Sequence, residues 1–132
     1  MKKSSLFWAL LLLFSFQVLA VGSLDDFLNR KEIKEVRAIQ NESTFERILE
    51  VMIEQPLDHR NPHGETFTQR VYISHADPSL PVVLITAGYD AKYYYTSEIT
   101  AELRCNQVMV EHRFFGRSVP DSPYSKPSQS FV

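Results

Sequence analysis

The chain has 132 residues, 23% of them charged, and a net charge of −2. This length fits a single domain, and the balance argues against nucleic acid or an anionic membrane as partner. Its one cysteine, Cys105, excludes a disulfide framework within the chain and reads as a small buried apolar side chain. No Cys/His spacing suits zinc and no Gly-rich phosphate loop is present.

Residues 1–22 carry Lys2 and Lys3, then an apolar core from Leu6 to about Phe16, then small residues at Ala20 and Gly22. This is the layout of a cleavable secretory signal peptide, and it predicts a secreted or periplasmic protein. The apolar run is short for a membrane span. Cleavage removes two lysines and no acid, leaving a more acidic mature chain with no membrane partner.

Residues 23–44 open with Ser23, Asp25 and Asp26, a helix N-cap with acids in its first turn. Much of the remaining segment is charged. It reads as a lead-in helix or linker ahead of a domain spanning 45–132. Asn41-Glu42-Ser43 is a glycosylation sequon, meaningful only in a eukaryote.

The stretch STFERILEVMIEQ, residues 43–55, fits two patterns. Phe45, Ile48, Leu49, Met52 and Ile53 follow helical spacing, and Ser43 with Glu46 makes a capping box. Leu49, Val51 and Ile53 also alternate as in a strand. PLDHRNPHGE is a loop dense in turn formers; Asp58 and His59, adjacent in it, read as turn residues. TFTQRVYISH sets Phe67, Val71 and Ile73 against Arg70 and Tyr72 and predicts a half-buried strand.

PVVLITA, residues 81–87, is a continuous apolar run of the kind covered on both faces in a parallel sheet. A Gly-led loop comes next. Its Tyr93, Tyr94 and Tyr95 suit either a cleft lining or a cover for the sheet. A helix is predicted near Ser97 to Arg104, then a second apolar strand, QVMVEH. The tail from Val119 is rich in proline and serine and offers nothing to a core. Hairpin-like strands, a buried strand, a helix and another buried strand make the opening of a mixed α/β sheet, whose sites form beyond the carboxyl ends of the strands.

Two such ends are visible, ITAGY and VEHRFFGRS. Together with QPLDHRNP and TFTQRVYI they resemble, block by block, the secreted serine tripeptidyl-aminopeptidases of bacteria. That proline-preferring family is related to prolyl carboxypeptidase and dipeptidyl peptidase II, and the match runs from about residue 45 to 120. The resemblance implies the N-terminal part of an α/β-hydrolase mixed sheet, its first four strands, with QPLDH closing the first; on that ground residues 45–55 are expected as a strand.

It further implies that Gly88 and Tyr89 form the substrate-binding oxyanion loop, and that Glu111, His112, Arg113 and Ser118 are a structural rim, not catalytic groups. The parent would release tripeptides from the free N-termini of a peptide substrate, through a Ser-Asp-His triad and without a cofactor. No G-x-S-x-G nucleophile turn occurs in the 132 residues. The chain therefore reads as an incomplete, inactive N-terminal fragment of such a peptidase. The rivals are a fragment of another α/β-hydrolase, such as a dipeptidyl peptidase or carboxypeptidase, and a non-catalytic secreted binding paralogue.

Overall fold

The computed structural model describes residues 22–40 and 44–121. Apart from Gly22, the signal-like segment lies outside this range, as do the sequon and the tail from Ser122. Helix α1 (Leu24–Leu28) is a single capped turn. The Ser23 hydroxyl accepts the Asp26 N–H at 3.1 Å, and the Asp26 carboxylate accepts the Ser23 N–H at 2.8 Å. Five strands come after it: β1 (Ile33–Ala38), β2 (Arg47–Pro56), β3 (Thr66–His75), β4 (Val82–Thr86) and β5 (Asn106–Val110). A second helix, α2 (Glu98–Leu103), joins the last two. The strands form one mixed sheet in the order β1-β2-β3-β5-β4. β1, β2, β3 and β5 pair antiparallel, and β4 pairs parallel with β5.

Strand β2 resolves the ambiguity of residues 43–55 in favour of the strand. Five consecutive residues, Ile48 to Met52, are buried. Ile48, Glu50 and Met52 lie on one face, Leu49 and Val51 on the other. A strand covered on both sides buries neighbouring residues in turn, and that run also satisfies a helical count.

Three expectations are corrected. The sheet has five strands, not four, because residues 33–38 of the supposed lead-in form β1. Its sequence, IKEVRA, mixes apolar and charged residues without a strict alternation, and all but Ile33 are exposed. The strand exists because its backbone pairs with β2, in a ladder that slips between Ile33 and Glu35.

The other two corrections exchange places. β3, expected to be half-buried, is the middle strand, and Phe67, Arg70, Val71, Tyr72 and Ser74 are buried across both its faces. β4, whose apolar run suits cover on both faces, has one face open, with Val82 58% and Leu84 64% exposed, and lies at the sheet edge. Composition records which residues favour cover; the neighbours in the sheet supply it.

Below β4 and β5 the core gathers around Tyr72, Ala91 and Met109, with Ile85, Ala87 and Tyr94 packed against them. Buried Gln107 fastens helix α2 over this face. Its carbonyl accepts from the Ser97 N–H at 2.9 Å and the Thr100 hydroxyl at 2.8 Å, and its amide donates to the Tyr95 carbonyl at 2.8 Å. Ser97 caps the helix, accepting from the Thr100 N–H, and Arg104 ends it in the left-handed region.

Candidate active-site rim

Parallel pairing sets the carboxyl ends of β4 and β5 side by side. Thr86 lies opposite Val110, and the Ala87 N–H donates to the Val110 carbonyl at 2.9 Å. The loops that leave there, 87–97 and 111–118, therefore emerge at one corner of the sheet. The His112 N–H donates to the Tyr89 carbonyl at 3.2 Å and keeps them together.

Glu111 is the hub of that corner. It is fully buried, and its carboxylate takes five hydrogen bonds. Oε1 accepts from the Arg70 guanidinium and from the Ala91 N–H at 2.8 Å. Oε2 accepts from the Arg117 N–H at 3.0 Å, the Ser118 N–H at 2.9 Å and the Ser118 hydroxyl at 2.7 Å. Burial, the largest single influence, pushes this carboxyl up. The hydrogen bonds from Ser118, Arg70 and Ala91, with the charge of Arg70, outweigh it and hold the group below its ordinary value.

The loop's backbone is shaped to meet that carboxylate. Phe114 and Gly116 adopt positive φ, 68° and 54°, a region unfavourable to side chains. A Cβ on Gly116 would stand 2.8 Å from Glu111 Cδ and 3.0 Å from Asp90 Cβ. Only glycine lets the loop pass between the two.

The Glu111 cluster continues along one face of the sheet as alternating charge. Arg70 also reaches Glu50, at 3.7 Å. Arg117 reaches Glu50 at 3.0 Å and Glu35 at 3.2 Å, and Arg37 pairs with Glu50 as well. Glu50 and Arg70 are almost fully buried. Thus β1, β2, β3 and the loop after β5 share one ion-pair network, which compensates charges that would be costly alone.

The predicted residues divide into three groups. Glu111 and Ser118 meet in the hub. Ser118 Oγ donates to Glu111 and accepts the Arg70 N–H at 2.9 Å, a scaffold geometry. Arg113 braces another place: its Nη2 donates to the Pro56 and Leu57 carbonyls at 2.8 and 2.9 Å. Its guanidinium lies 4.8 Å over the Phe67 ring and 5.6 Å from that of Phe114, and it touches His59. Burial pulls its pKa down from the ordinary arginine value.

His112 points outward, its Nδ1 2.8 Å from the Arg113 carbonyl oxygen. The rings of Tyr89 and His112 both meet Phe115 edge-on at 5.3 Å.

Gly88 and Tyr89 lie on the exposed part of the first loop. A Cβ on Gly88 would meet no atom within 4 Å, and Gly88 is not at positive φ. Nothing in the chain's own packing requires glycine there. The Ala87 and Ala91 N–H groups are taken by Val110 and Glu111. The N–H groups of Gly88, Tyr89 and Asp90, between them, donate to no acceptor among the described residues. That leaves a short run of backbone donors, anchored at both ends and open to solvent, at the carboxyl end of a parallel strand. Such donors can stabilise an oxyanion.

A sequence profile of the PS-10 peptidase S37 family matches residues 26–128. The chain belongs to the peptidase S37 family. It is also 43% identical over 75 residues to the prolyl tri/tetrapeptidyl aminopeptidase of Streptomyces mobaraensis, a stretch covering 56% of this chain and 16% of that relative. The family resemblance read from the sequence is thereby shown: the chain is a member of the peptidase S37 family and a homologue of a prolyl tri/tetrapeptidyl aminopeptidase.

Sequence reasoning missed three residues that complete the hub: Arg70, Glu50 and Arg117. Across β2 and β3 Glu50 stands opposite Tyr72 and Arg70 opposite Met52, so no local pattern joins the two charges. Among the described residues no group of three His, Cys, Asp or Glu is placed to hold a metal, and no helix is long and apolar enough to cross a membrane.

Proposed function

We propose that this chain is the N-terminal sheet of an exported α/β-hydrolase peptidase, and that it contributes the oxyanion side of that enzyme's active site. The parent reaction is serine-type release of tripeptides from the free N-termini of peptides, with proline before the cut. In this reading the Gly88–Asp90 backbone holds the carbonyl oxygen as it becomes negative. Glu111, Arg70, Arg117 and Ser118 keep that backbone in place without touching substrate. The attacking serine and its Asp-His partners belong to sequence outside these 132 residues, so the chain by itself is inactive.

The observation that carries the reading is the anchored donor run at Gly88–Asp90, fixed from behind by the Glu111–Ala91 hydrogen bond of 2.8 Å. The family match supports the reaction class, and the layout of residues 1–22 supports export.

A chimera tests it. The aligned 75-residue segment of the Streptomyces mobaraensis aminopeptidase is replaced by this chain's segment, and hydrolysis of a chromogenic Xaa-Xaa-Pro substrate is measured. Retained turnover is expected, falling about 10²–10³-fold when the loop donors are displaced. A folded chimera with no turnover sinks the proposal.

A further inference from the structure

We propose, resting on the reading that the Gly88–Asp90 backbone holds the scissile carbonyl oxygen, that the rings of Tyr89 and Phe115 form the wall against which the prolyl ring before the cut lies. These two side chains would then set the preference for proline.

Two loops supply the rings. Tyr89 stands in the middle of the donor run, and Phe115 comes from the loop after β5. Tyr89 is 70% exposed and Phe115 39%. The Phe115 ring meets that of Tyr89 at 77° and that of His112 at 81°, so it is held between the two. Backbone bonds fix the same residues. The Phe115 N–H donates to the His112 carbonyl at 3.2 Å, and the Ser118 N–H to the Phe115 carbonyl at 2.8 Å. The rings are thus in place before a ligand arrives, which lowers the ordering cost of binding. The neighbouring Phe114 is used differently: it stacks on Phe67, ring centroids 5.8 Å apart.

The prolyl ring is joined to its carbonyl carbon through the Cα atom. The Tyr89 ring is likewise carried by a residue whose own N–H belongs to the donor run. A carbonyl oxygen held by that run brings the prolyl ring to the same corner. Substrate must reach the donors in the complete enzyme, so the surface beside them stays accessible there.

Proline offers no N–H and no polar side-chain atom. A site selects it by flat apolar contact, as aromatic-lined grooves do with proline-rich segments. The ionisable neighbours of Phe115 on its own loop are engaged elsewhere: Glu111 in the hub, Arg113 at the Pro56 and Leu57 carbonyls, Arg117 at Glu50. The wall is therefore aromatic and suits an uncharged ring.

The Streptomyces mobaraensis chimera, with residues 87–118 inside the exchanged segment, provides the test. It is assayed with Ala-Ala-Pro and Ala-Ala-Ala p-nitroanilides, and with Ala-Ala-Pro peptides that differ after the cut. Tyr89→Ala and Phe115→Ala should lower kcat/KM for the prolyl substrate about 10–100-fold more than for the alanyl one. Tyr89→Phe should restore the preference, because the ring and not the hydroxyl makes the contact. Should Phe115→Ala lose its far-UV circular dichroism spectrum, Phe115→Leu decides in its place.

Equal losses on both substrates would make the rings supports of the loop and overturn the proposal. A prolyl-to-alanyl ratio that does not move also overturns it, as does a change confined to the choice of residue after the cut. In each of these cases turnover by the unsubstituted chimera leaves the donor reading standing. A folded chimera without turnover removes that reading and this proposal together.

Discussion

The Ser118 hydroxyl donates to the Glu111 carboxylate across 2.7 Å, with both residues fully buried. That bond returns the loop after β5 to the strand end it left. The same carboxylate holds the Ala91 N–H of the neighbouring loop. One side chain thus fixes two loops that approach each other only in the folded sheet, and the stability of the corner depends on its charge.

Glu111→Ala should be among the most damaging single substitutions. It removes the nearer partner of buried Arg70 and leaves four other donors unpaired, three backbone N–H groups and the Ser118 hydroxyl. The cost of breaking such a buried pair is about 3–5 kcal/mol, read as a lower urea midpoint. Ser118→Ala should cost less, about 1–3 kcal/mol, because Arg70 remains paired. Equal, negligible losses in both would mean that the hub does not hold the corner.

Acid should weaken the fold through the same group. A carboxyl held below its ordinary value contributes stability that is fully present above the unfolded-state value, about 4.3. The contribution is lost as pH falls through the lower folded-state value. Glu111→Gln should therefore be less stable than the parent at neutral pH, and the gap should narrow on acidification below about pH 4. A gap that widens in acid contradicts the assignment.

Two glycines should respond in opposite ways. Gly116→Ala places a methyl at positive φ against Glu111 and Asp90, and should destabilise by more than about 1 kcal/mol. Gly88→Ala meets open space and should leave the midpoint within about 0.5 kcal/mol of the parent. Denaturation curves of the two variants, measured side by side, check the contrast.

The outer rungs of the ion-pair network should matter little. Glu35 and Arg117 are about half-exposed and 3.2 Å apart, so a double-mutant cycle should give a coupling below about 1 kcal/mol. The buried rung should differ: Arg70→Met takes away the guanidinium paired with fully buried Glu111, while Glu50 keeps Arg37 and Arg117, and should cost several times more than Arg117→Met. Similar losses for both would mean that burial does not set the hierarchy.

Much of the fold was legible in residue pattern. β3, β5 and α2 were expected close to their positions, since each has a local signature: alternation, an apolar run, or a serine cap. β2 was not decided by its own periodicity, and only the motif QPLDH pointed to a strand. β1 was illegible, because an edge strand held by backbone pairing leaves no mark on charged side chains. Of the site, Glu111 and Ser118 could be singled out from their loop. Arg70 and Glu50, on other strands, could not be joined to it, since their meeting depends on register across three strands.

The sequence alone determined the family, through four ordered blocks, and the local chemistry of each turn and cap, because these depend on residues near one another along the chain. The tertiary structure decided which strands lie inside and which at the edge, which carboxylate becomes the hub, and which backbone N–H groups stay free. Those outcomes depend on what lies across the sheet, where burial strengthens every unscreened charge and leaves each donor either paired or exposed.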